Sequence, residues 1–288
     1  MTNSTKGILL AGGKSSRLWP NSSSFTKHLF PVFNKPMIYY SLSVLLIAKI
    51  REVLIICNSQ DLVLYKKLLG SGKNLGIKIS YKIQKKPDGI GAALSIGRRF
   101  IGSSNLFLIL GDNFFYGTGF SELINTVVKN DKSTIFYHYV KNPEDYGVLK
   151  FDNKSKKNKI IEKPKKYISN FAITGLYFYT NEVLKLNYKM KKSKRGEYEI
   201  STYNQFLLKN NLLNCVELGR GFTWFDMGTS KNILETSEYV RAVEERQGNF
   251  IACLEEISLK NKWISKKNVK ELVKINFNSE YSNYLKKL

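Results

Sequence analysis

Short apolar runs alternate with segments of helical periodicity through the first 110 residues, and this alternation is the strongest constraint on the fold. Each run is five to seven residues long, the length of a strand buried on both faces. The apolar runs are 7–11, 52–57, 77–83 and 105–110, and the helical segments between them are 36–50, 61–69 and 91–100. Strands and helices in this order predict an α/β fold with a mostly parallel sheet that helices cover on both faces.

The later part of the sequence is more mixed. Strands are predicted at 133–140, 147–151 and 172–179, a long helix at 230–247, and short helices from residue 251 onward. A chain of 288 residues without an internal repeat or a long linker predicts one large domain with a modest appendage. We place the main domain at residues 1–248 and a C-terminal helical extension at 249–288.

The formal net charge of +23 suggests a polyanionic partner, either nucleic acid or phosphorylated metabolites. The basic clusters lie at 154–159, 163–166 and 189–195, and few aromatic side chains accompany them for base stacking. They also fit lysine-rich solvated faces. Because no nucleic-acid-binding motif is present, we expect no nucleic-acid partner.

Neither a membrane segment nor a disulfide framework is expected. The longest apolar stretches, such as 42–47 and 106–110, are too short to cross a bilayer. The polar N-terminus continues directly into a predicted strand, without the pattern of an export signal. Three widely separated cysteines, Cys57, Cys215 and Cys253, indicate reduced thiols and therefore a cytoplasmic protein.

The loop after the first strand, residues 11–18, is a candidate phosphate site. In parallel sheets, ligands bind beyond the carboxyl ends of the strands. Gly12 and Gly13 let backbone N–H groups approach a phosphate, and the Arg17 guanidinium offers a fork of donors. The glycines alone equally fit a tight turn, because neither a dinucleotide-binding nor a Walker fingerprint is present.

Charged residues in three further segments could carry chemistry. Lys27 lies between apolar residues, where it suits a cation beside phosphates but also an ordinary surface lysine. Asp112 follows a buried strand, where it suits a magnesium ligand but also a helix cap. Asp226 is a possible second carboxylate, although the sequence alone does not bring it close to Asp112.

Taken in order, the motifs resemble one family, the short-form glucose-1-phosphate thymidylyltransferases of the sugar nucleotidyltransferase superfamily. The matching segments are 7–13, 17–18, 26–27, 35–40, 87–89, 110–113, 146–148, 162–164, 174–179, 195–197, Trp224, Asp226, 228–229 and 244–248. Each segment is weak alone, whereas the ordered set covers most of the chain and is specific.

The resemblance implies a role for each matching residue. The catalytic residues would be Arg17, Lys27, Asp112 and Asp226, of which Asp112 and Asp226 would also hold Mg²⁺. The nucleotide would contact Leu10, Ala11, Gly12, Gly13, Gln84, Pro87, Gly89 and Asp112. The sugar phosphate would contact Tyr146, Gly147, Glu162, Lys163, Asn170, Gly175 and Arg195. The implied substrates are dTTP and glucose-1-phosphate, and the products are dTDP-glucose and pyrophosphate.

The resemblance also implies a Rossmann-like core with inserted sugar-binding strands, and a homotetramer. Three departures from the family pattern leave alternatives open: Ser15 and Ser16 in the first loop, Lys85 in the base-recognition stretch, and Thr202 after Ile200. A related transferase could use UTP or an amino-sugar phosphate. An inactive nucleotide-sugar-binding regulator is the second alternative, although it would have less need of both carboxylates. A nucleic-acid-binding protein is the third.

Overall fold

The computed structural model describes residues 4–13, 15–151, 158–182, 186, 191–275 and 279–288. Lys14 of the predicted phosphate loop and parts of the basic clusters at 154–159 and 189–195 lie outside these ranges. The strands are β1 Thr5–Ala11, β2 Pro31–Val32, β3 Lys35–Pro36, β4 Glu52–Cys57, β5 Lys78–Ile83, β6 Asn105–Leu110, β7 Asn113–Gly117, β8 Thr134–Tyr139, β9 Gly147–Lys150, β10 Lys159–Glu162, β11 Phe171–Tyr179, β12 Asn214–Glu217 and β13 Phe222–Asp226. The helices are α1 Met37–Ile47, α2 Leu62–Leu69, α3 Ala92–Ile101, α4 Phe120–Asn130, α5 Ile200–Lys209, α6 Ser230–Gln247, α7 Leu254–Lys260, α8 Lys266–Ile275 and α9 Glu280–Lys286.

A central mixed sheet organises the molecule. Its strand order is β10-β9-β11-β6-β1-β4-β5, with β8 paired to β11 and β12 paired to β8. The strands β6, β1, β4 and β5 are mutually parallel, because helices connect them in the chain. The later strands β11, β9 and β10 join the sheet antiparallel. The predicted α/β fold is confirmed, with its parallel character concentrated in the first half of the chain.

Helices cover both faces of the sheet, as the apolar runs predict. Successive side chains of a strand point to opposite faces, so Leu9 of β1 packs on one side while Ile8 and Leu10 pack on the other. The first face is covered by α1, α2 and α4, and the second by α3 and α5. Apolar residues occupy nearly every position of α1, and that helix is accordingly buried all round.

Short helices follow residue 251, as the sequence predicts. Helix α7 packs on α1. Cys253, Val269, Tyr284 and Leu285 form a buried cluster of their own beside it. The boundary at residue 248 stays a prediction. None of the described helices combines the length and the hydropathy that crossing a bilayer requires.

A buried ion pair of the main domain lies next to the segment that leads into these helices. Lys35 Nζ lies 2.7 Å from Glu244 Oε1, and the two side chains are 1% and 2% exposed. Asn34 Nδ2 donates to the second carboxylate oxygen, and the backbone N–H of Ile251 donates to Oε1. Burial lowers the pKa of Lys35. One carboxylate therefore connects the β2–β3 hairpin, α6 and the segment that leads into α7.

We expect Lys35→Met to destabilise the protein by about 3–5 kcal/mol, because it leaves the buried carboxylate of Glu244 without its cation. Lys35→Met combined with Glu244→Leu should recover part of that loss. Arg241→Ala on the same helix, which breaks an exposed pair with Glu245, should cost below about 1 kcal/mol. Urea denaturation of the four proteins measures these free energies of unfolding, and equal losses for the two single variants would contradict the prediction.

Candidate active site

The predicted phosphate loop lies where the parallel strands end. Gly12 follows β1 and Gln84 follows β5, so both lie at the same edge of the sheet. A Cβ atom at position 12 would lie 2.4 Å from Gln84 Oε1, so Gly12 lets the Gln84 amide lie directly against the loop. The Asn58 side chain, after β4, donates from Nδ2 to Gly13 O at 3.1 Å and holds the loop. Ser15 takes a left-handed conformation with φ 49°, which glycine adopts more freely than serine does.

Lys27 and Asp112 form an ion pair at the end of β6. Lys27 Nζ donates to Asp112 Oδ2, and Asn113 Nδ2 donates to Oδ1 at 3.0 Å. Burial alone would raise the pKa of Asp112, but the charge and hydrogen bond of Lys27 outweigh it, and the pKa is lowered. Asp112 is therefore ionised at neutral pH.

Beneath Lys27, a buried histidine fixes the short helical turn. His28 Nδ1 lies 2.9 Å from Thr26 Oγ1, and burial lowers the pKa of His28 to about 3. The imidazole is neutral at physiological pH and acts as a packing and hydrogen-bonding group.

Asp226 is brought beside Asp112 by a strand pair that the sequence analysis did not predict. Strand β13 runs antiparallel to β7, with Asp226 opposite Asn113, and Met227 N donates to Asp112 O at 2.9 Å. Burial and the neighbouring charge of Asp112 raise the pKa of Asp226 from 3.8 to about 6. The two carboxylates thus share one site, although they lie far apart in the chain.

Arg17 reaches the same site from the first loop. A Cβ atom at position 228 would lie 2.7 Å from Arg17 Nη2 and 3.3 Å from Asp226 Oδ1, so Gly228 leaves room for the guanidinium beside the carboxylate. Arg17 is exposed toward solvent and borders two cavities.

Two adjoining cavities contain nearly all of the predicted site residues. The small cavity, about 200 Å³, is lined by Arg17, Asp112, Tyr146, Gly147, Glu162, Lys163, Gly175 and Asp226 among the predicted residues. The large cavity, about 620 Å³, is lined by Leu10, Gly12, Gly13, Arg17, Lys27, Gln84, Pro87, Gly89, Glu162, Lys163 and Arg195. Arg17, Glu162 and Lys163 line both cavities, so they mark the boundary between them.

Carboxylates surround Arg195, which lines the large cavity. Arg195 lies between 3.6 and 3.9 Å from the carboxylates of Glu162, Glu197 and Glu199. Burial, followed by the charge of Glu199, raises the pKa of Glu162. This carboxylate reaches both cavities and can accept hydrogen bonds from hydroxyl groups in either.

Two predicted contact residues lie away from both cavities. Ala11 is fully buried, and its carbonyl accepts a hydrogen bond from Tyr65 Oη at 3.3 Å. Asn170 donates from Nδ2 to Val140 O at 2.7 Å and accepts from Tyr167 Oη at 2.8 Å, so its amide joins neighbouring segments. The structure does not bring either residue into the site.

Sequence reasoning also missed several residues that line the small cavity. Asn113 Oδ1 accepts hydrogen bonds from Gly175 N at 3.0 Å and Trp224 Nε1 at 2.7 Å, which holds the cavity wall together. The other missed residues include Tyr177, Ser201 and Asn204. Asn113 could have been predicted to line the site, because it follows Asp112 directly in the sequence. Ser201 and Asn204 lie on helix α5, and no sequence motif there indicates a functional role.

The arrangement can bind two anions face to face. Arg17, Lys27 and Lys163 lie at or near the boundary of the cavities. Two acidic side chains, Asp112 and Asp226, adjoin them. Among the described ranges no group of three or more histidine, cysteine, aspartate or glutamate side chains could hold a metal ion. A pair of carboxylates suits Mg²⁺, which takes one or two carboxylates together with phosphate oxygens and water.

Residues 6–243 match a family model described as nucleotidyl transferase. The chain is 43% identical to a glucose-1-phosphate thymidylyltransferase of Neisseria meningitidis serogroup A, over 98% of this chain and 99% of the relative. It is 40% identical to the glucose-1-phosphate thymidylyltransferase of Mycobacterium tuberculosis, over 98% of both chains.

A solved structure shows the same fold. It is a Bacillus anthracis protein assigned as a glucose-1-phosphate thymidylyltransferase, in complex with a sucrose. The TM-score is 0.75 at 33% identity, over 83% of this chain and 96% of the other.

The raised pKa of Asp226 has a measurable consequence for stability. A carboxyl whose pKa is raised from 3.8 to about 6 on folding holds its proton more tightly in the folded state, so stability falls as the pH rises through this window. In metal-free protein, Asp226→Asn should therefore be more stable than the wild type above pH 6, on the order of 2–3 kcal/mol. The two proteins should converge near pH 4.

Thermal unfolding in chelator between pH 4 and pH 7 checks this prediction. Asp145→Asn, which removes an exposed carboxylate from the same small cavity, controls for the loss of one negative charge. A difference between wild type and Asp226→Asn that does not change with pH would contradict it.

Proposed function

This chain belongs to the nucleotidyl transferase family, and we propose that it transfers a thymidylyl group from dTTP to glucose-1-phosphate, giving dTDP-glucose and pyrophosphate. The observation that carries the proposal is the shared boundary of the two cavities, where the cations adjoin the paired carboxylates. Such a boundary suits two anionic substrates that react with each other. The names of the relatives supply the sugar and the base.

In the proposed reaction, a phosphate oxygen of glucose-1-phosphate attacks the α-phosphorus of dTTP. A new oxygen–phosphorus bond forms as the bond from the α-phosphorus to the bridging oxygen breaks, and the electron pair leaves with pyrophosphate. The attacking phosphate is already ionised at neutral pH, so it needs no general base. Catalysis then consists of positioning two repelling anions and stabilising the charge that develops between them.

We assign to each cation the phosphates that it would contact. Arg17 and the backbone of Gly12 and Gly13 would contact the triphosphate and stabilise charge on the leaving pyrophosphate. Lys27 would contact phosphates of both substrates, since it lines the large cavity and bonds to Asp112 at the small one. Lys163, on the boundary, would hold the sugar phosphate.

The two cavities suit different parts of the substrates. Gln84, Pro87 and Gly89 line the large cavity and would contact the base. Tyr146, Gly147, Glu162 and Gly175 line the small cavity and would surround the glucose ring. Arg195 and Lys163 both line the large cavity. Both would contact the phosphate group of the sugar phosphate.

Asp112 and Asp226 would hold Mg²⁺. The fit rests on the chemistry of the two side chains. Burial and the charge of Asp112 raise the pKa of Asp226, and a divalent cation bound by both carboxylates would relieve their repulsion. The bound ion would neutralise negative charge on the phosphate oxygens. Lys27 would hold Asp112 ionised and oriented for this role.

We further propose a homotetramer in the cytoplasm that acts on small molecules and not on nucleic acid. Exposed apolar side chains such as Val63 and Leu234, 71% and 60% exposed, leave surface that other subunits could cover. The three cysteines are free, which fits a reducing compartment. The main domain, residues 1–248, would carry the reaction, and residues 249–288 would form the extension.

A pyrophosphate-release assay tests the proposed activity. It crosses dTTP, UTP, CTP and GTP with glucose-1-phosphate and amino-sugar 1-phosphates, with and without Mg²⁺. We expect the highest kcat/KM for dTTP with glucose-1-phosphate, and no turnover without the metal. A preference for UTP or an amino sugar would replace the assigned substrates, and no release from any pair would favour a nucleotide-sugar-binding regulator.

Arg17→Ala should lose far more turnover than stability. Removing one cation that stabilises the transition state costs about 3 kcal/mol, roughly a hundredfold in kcat, while an exposed loop arginine contributes little to folding. Arg241→Ala, a change to an exposed arginine on α6, should retain wild-type turnover. Steady-state kinetics and thermal unfolding of both variants check this, and a near-normal kcat for Arg17→Ala would refute the role.

A further inference from the structure

One buried polar group of the small cavity is the side chain of Asn204. It lies on α5, lines the cavity and is fully buried. Its Oδ1 accepts a hydrogen bond from Tyr179 Oη at 2.7 Å. Its Nδ2 has no hydrogen-bond partner among the described residues.

The orientation of this amide is fixed by its partner. Tyr179 is itself fully buried, and its hydroxyl hydrogen needs an acceptor, which the carbonyl oxygen of Asn204 provides. The amide nitrogen is then left as a donor without an acceptor. A buried donor in this state costs free energy, and it is a specific reason to look for an absent partner.

The surroundings indicate what that partner is. Tyr177 and Ser201 line the same cavity, so two hydroxyl-bearing side chains accompany the amide. The triphosphate-binding loop and Gln84 line the other cavity, and Asn204 is absent from its lining. The cations lie toward the boundary. An uncharged group with hydroxyl acceptors therefore fits beside Asn204 better than a phosphate or a base does.

We infer that Asn204 Nδ2 donates a hydrogen bond to one ring hydroxyl of the bound sugar phosphate, which makes Asn204 a specificity-determining residue. The inference rests on the proposed function, because it takes the sugar to occupy the small cavity. The site selects sugars that carry an oxygen at that carbon, because a deoxy sugar leaves the buried donor unsatisfied.

The test compares two backgrounds that both lack the Tyr179–Asn204 hydrogen bond. Tyr179→Phe removes that bond and keeps Nδ2, while Tyr179→Phe with Asn204→Leu removes both partners. For each protein, kcat and KM are measured with glucose-1-phosphate and with its 2-, 3-, 4- and 6-deoxy analogues at saturating dTTP. If the double variant does not fold, Asn204→Asp, which keeps the acceptor for Tyr179, is compared with the wild type instead.

We expect the loss of Nδ2 to lower kcat/KM for glucose-1-phosphate by about tenfold to a hundredfold, through KM, with the KM for dTTP unchanged. One deoxy analogue should be used equally well by both backgrounds, and that analogue identifies the hydroxyl. An equal loss with every analogue would show that Asn204 is purely structural, and no loss with glucose-1-phosphate would also overturn the inference.

Failure of the proposed function gives a different result. If the wild type releases no pyrophosphate from any pair, the activity is wrong, and the contact is then tested by calorimetric binding of glucose-1-phosphate and the same analogues. The same pattern among dissociation constants supports the inference. Binding that is identical in both backgrounds, or absent, overturns it.

Discussion

The mutual repulsion of two adjacent carboxylates is the interaction on which the rest of the site depends. Burial and the charge of Asp112 disfavour ionisation of Asp226, whereas Lys27 keeps Asp112 charged. Such a pair is costly in isolation, and the nearby cations Lys27, Arg17 and Lys163 offset part of that cost. Arg17 lies beside Gly228, next to the Asp226 carboxylate of this pair.

The central sheet holds these groups in place. Four parallel strands end at one edge, and their packing on both faces fixes where each following loop begins. Glycines at positions 12 and 228 then let the side chains of Gln84 and Arg17 lie directly against the backbone. Arg17, Glu162 and Lys163 line both cavities, so these three side chains can contact a ligand in either cavity.

The sequence predicted several elements that rest on local patterns, although it missed helices α4 and α5. Helix α6 was predicted with the bounds it has, and the strands of the first half came from unbroken apolar runs. Strands β7 and β13 were missed, because their pairing is non-local and β7 follows β6 almost directly. Asn170 was assigned to the sugar pocket from resemblance, but its amide bonds to a neighbouring backbone instead. Asn204 lacked any local signal, since its burial beside Tyr179 depends on how α5 packs on β11.

The wide separation of Asp112 and Asp226 along the chain has a consequence for synthesis. A ribosome makes the protein from its N-terminus, so the first four parallel strands and the Gly12 loop emerge well before β13. Until then Asp112 has Lys27 beside it but lacks the second carboxylate. A nascent chain halted before residue 226 would thus carry Lys27 and Asp112 but lack the second member of the acidic pair.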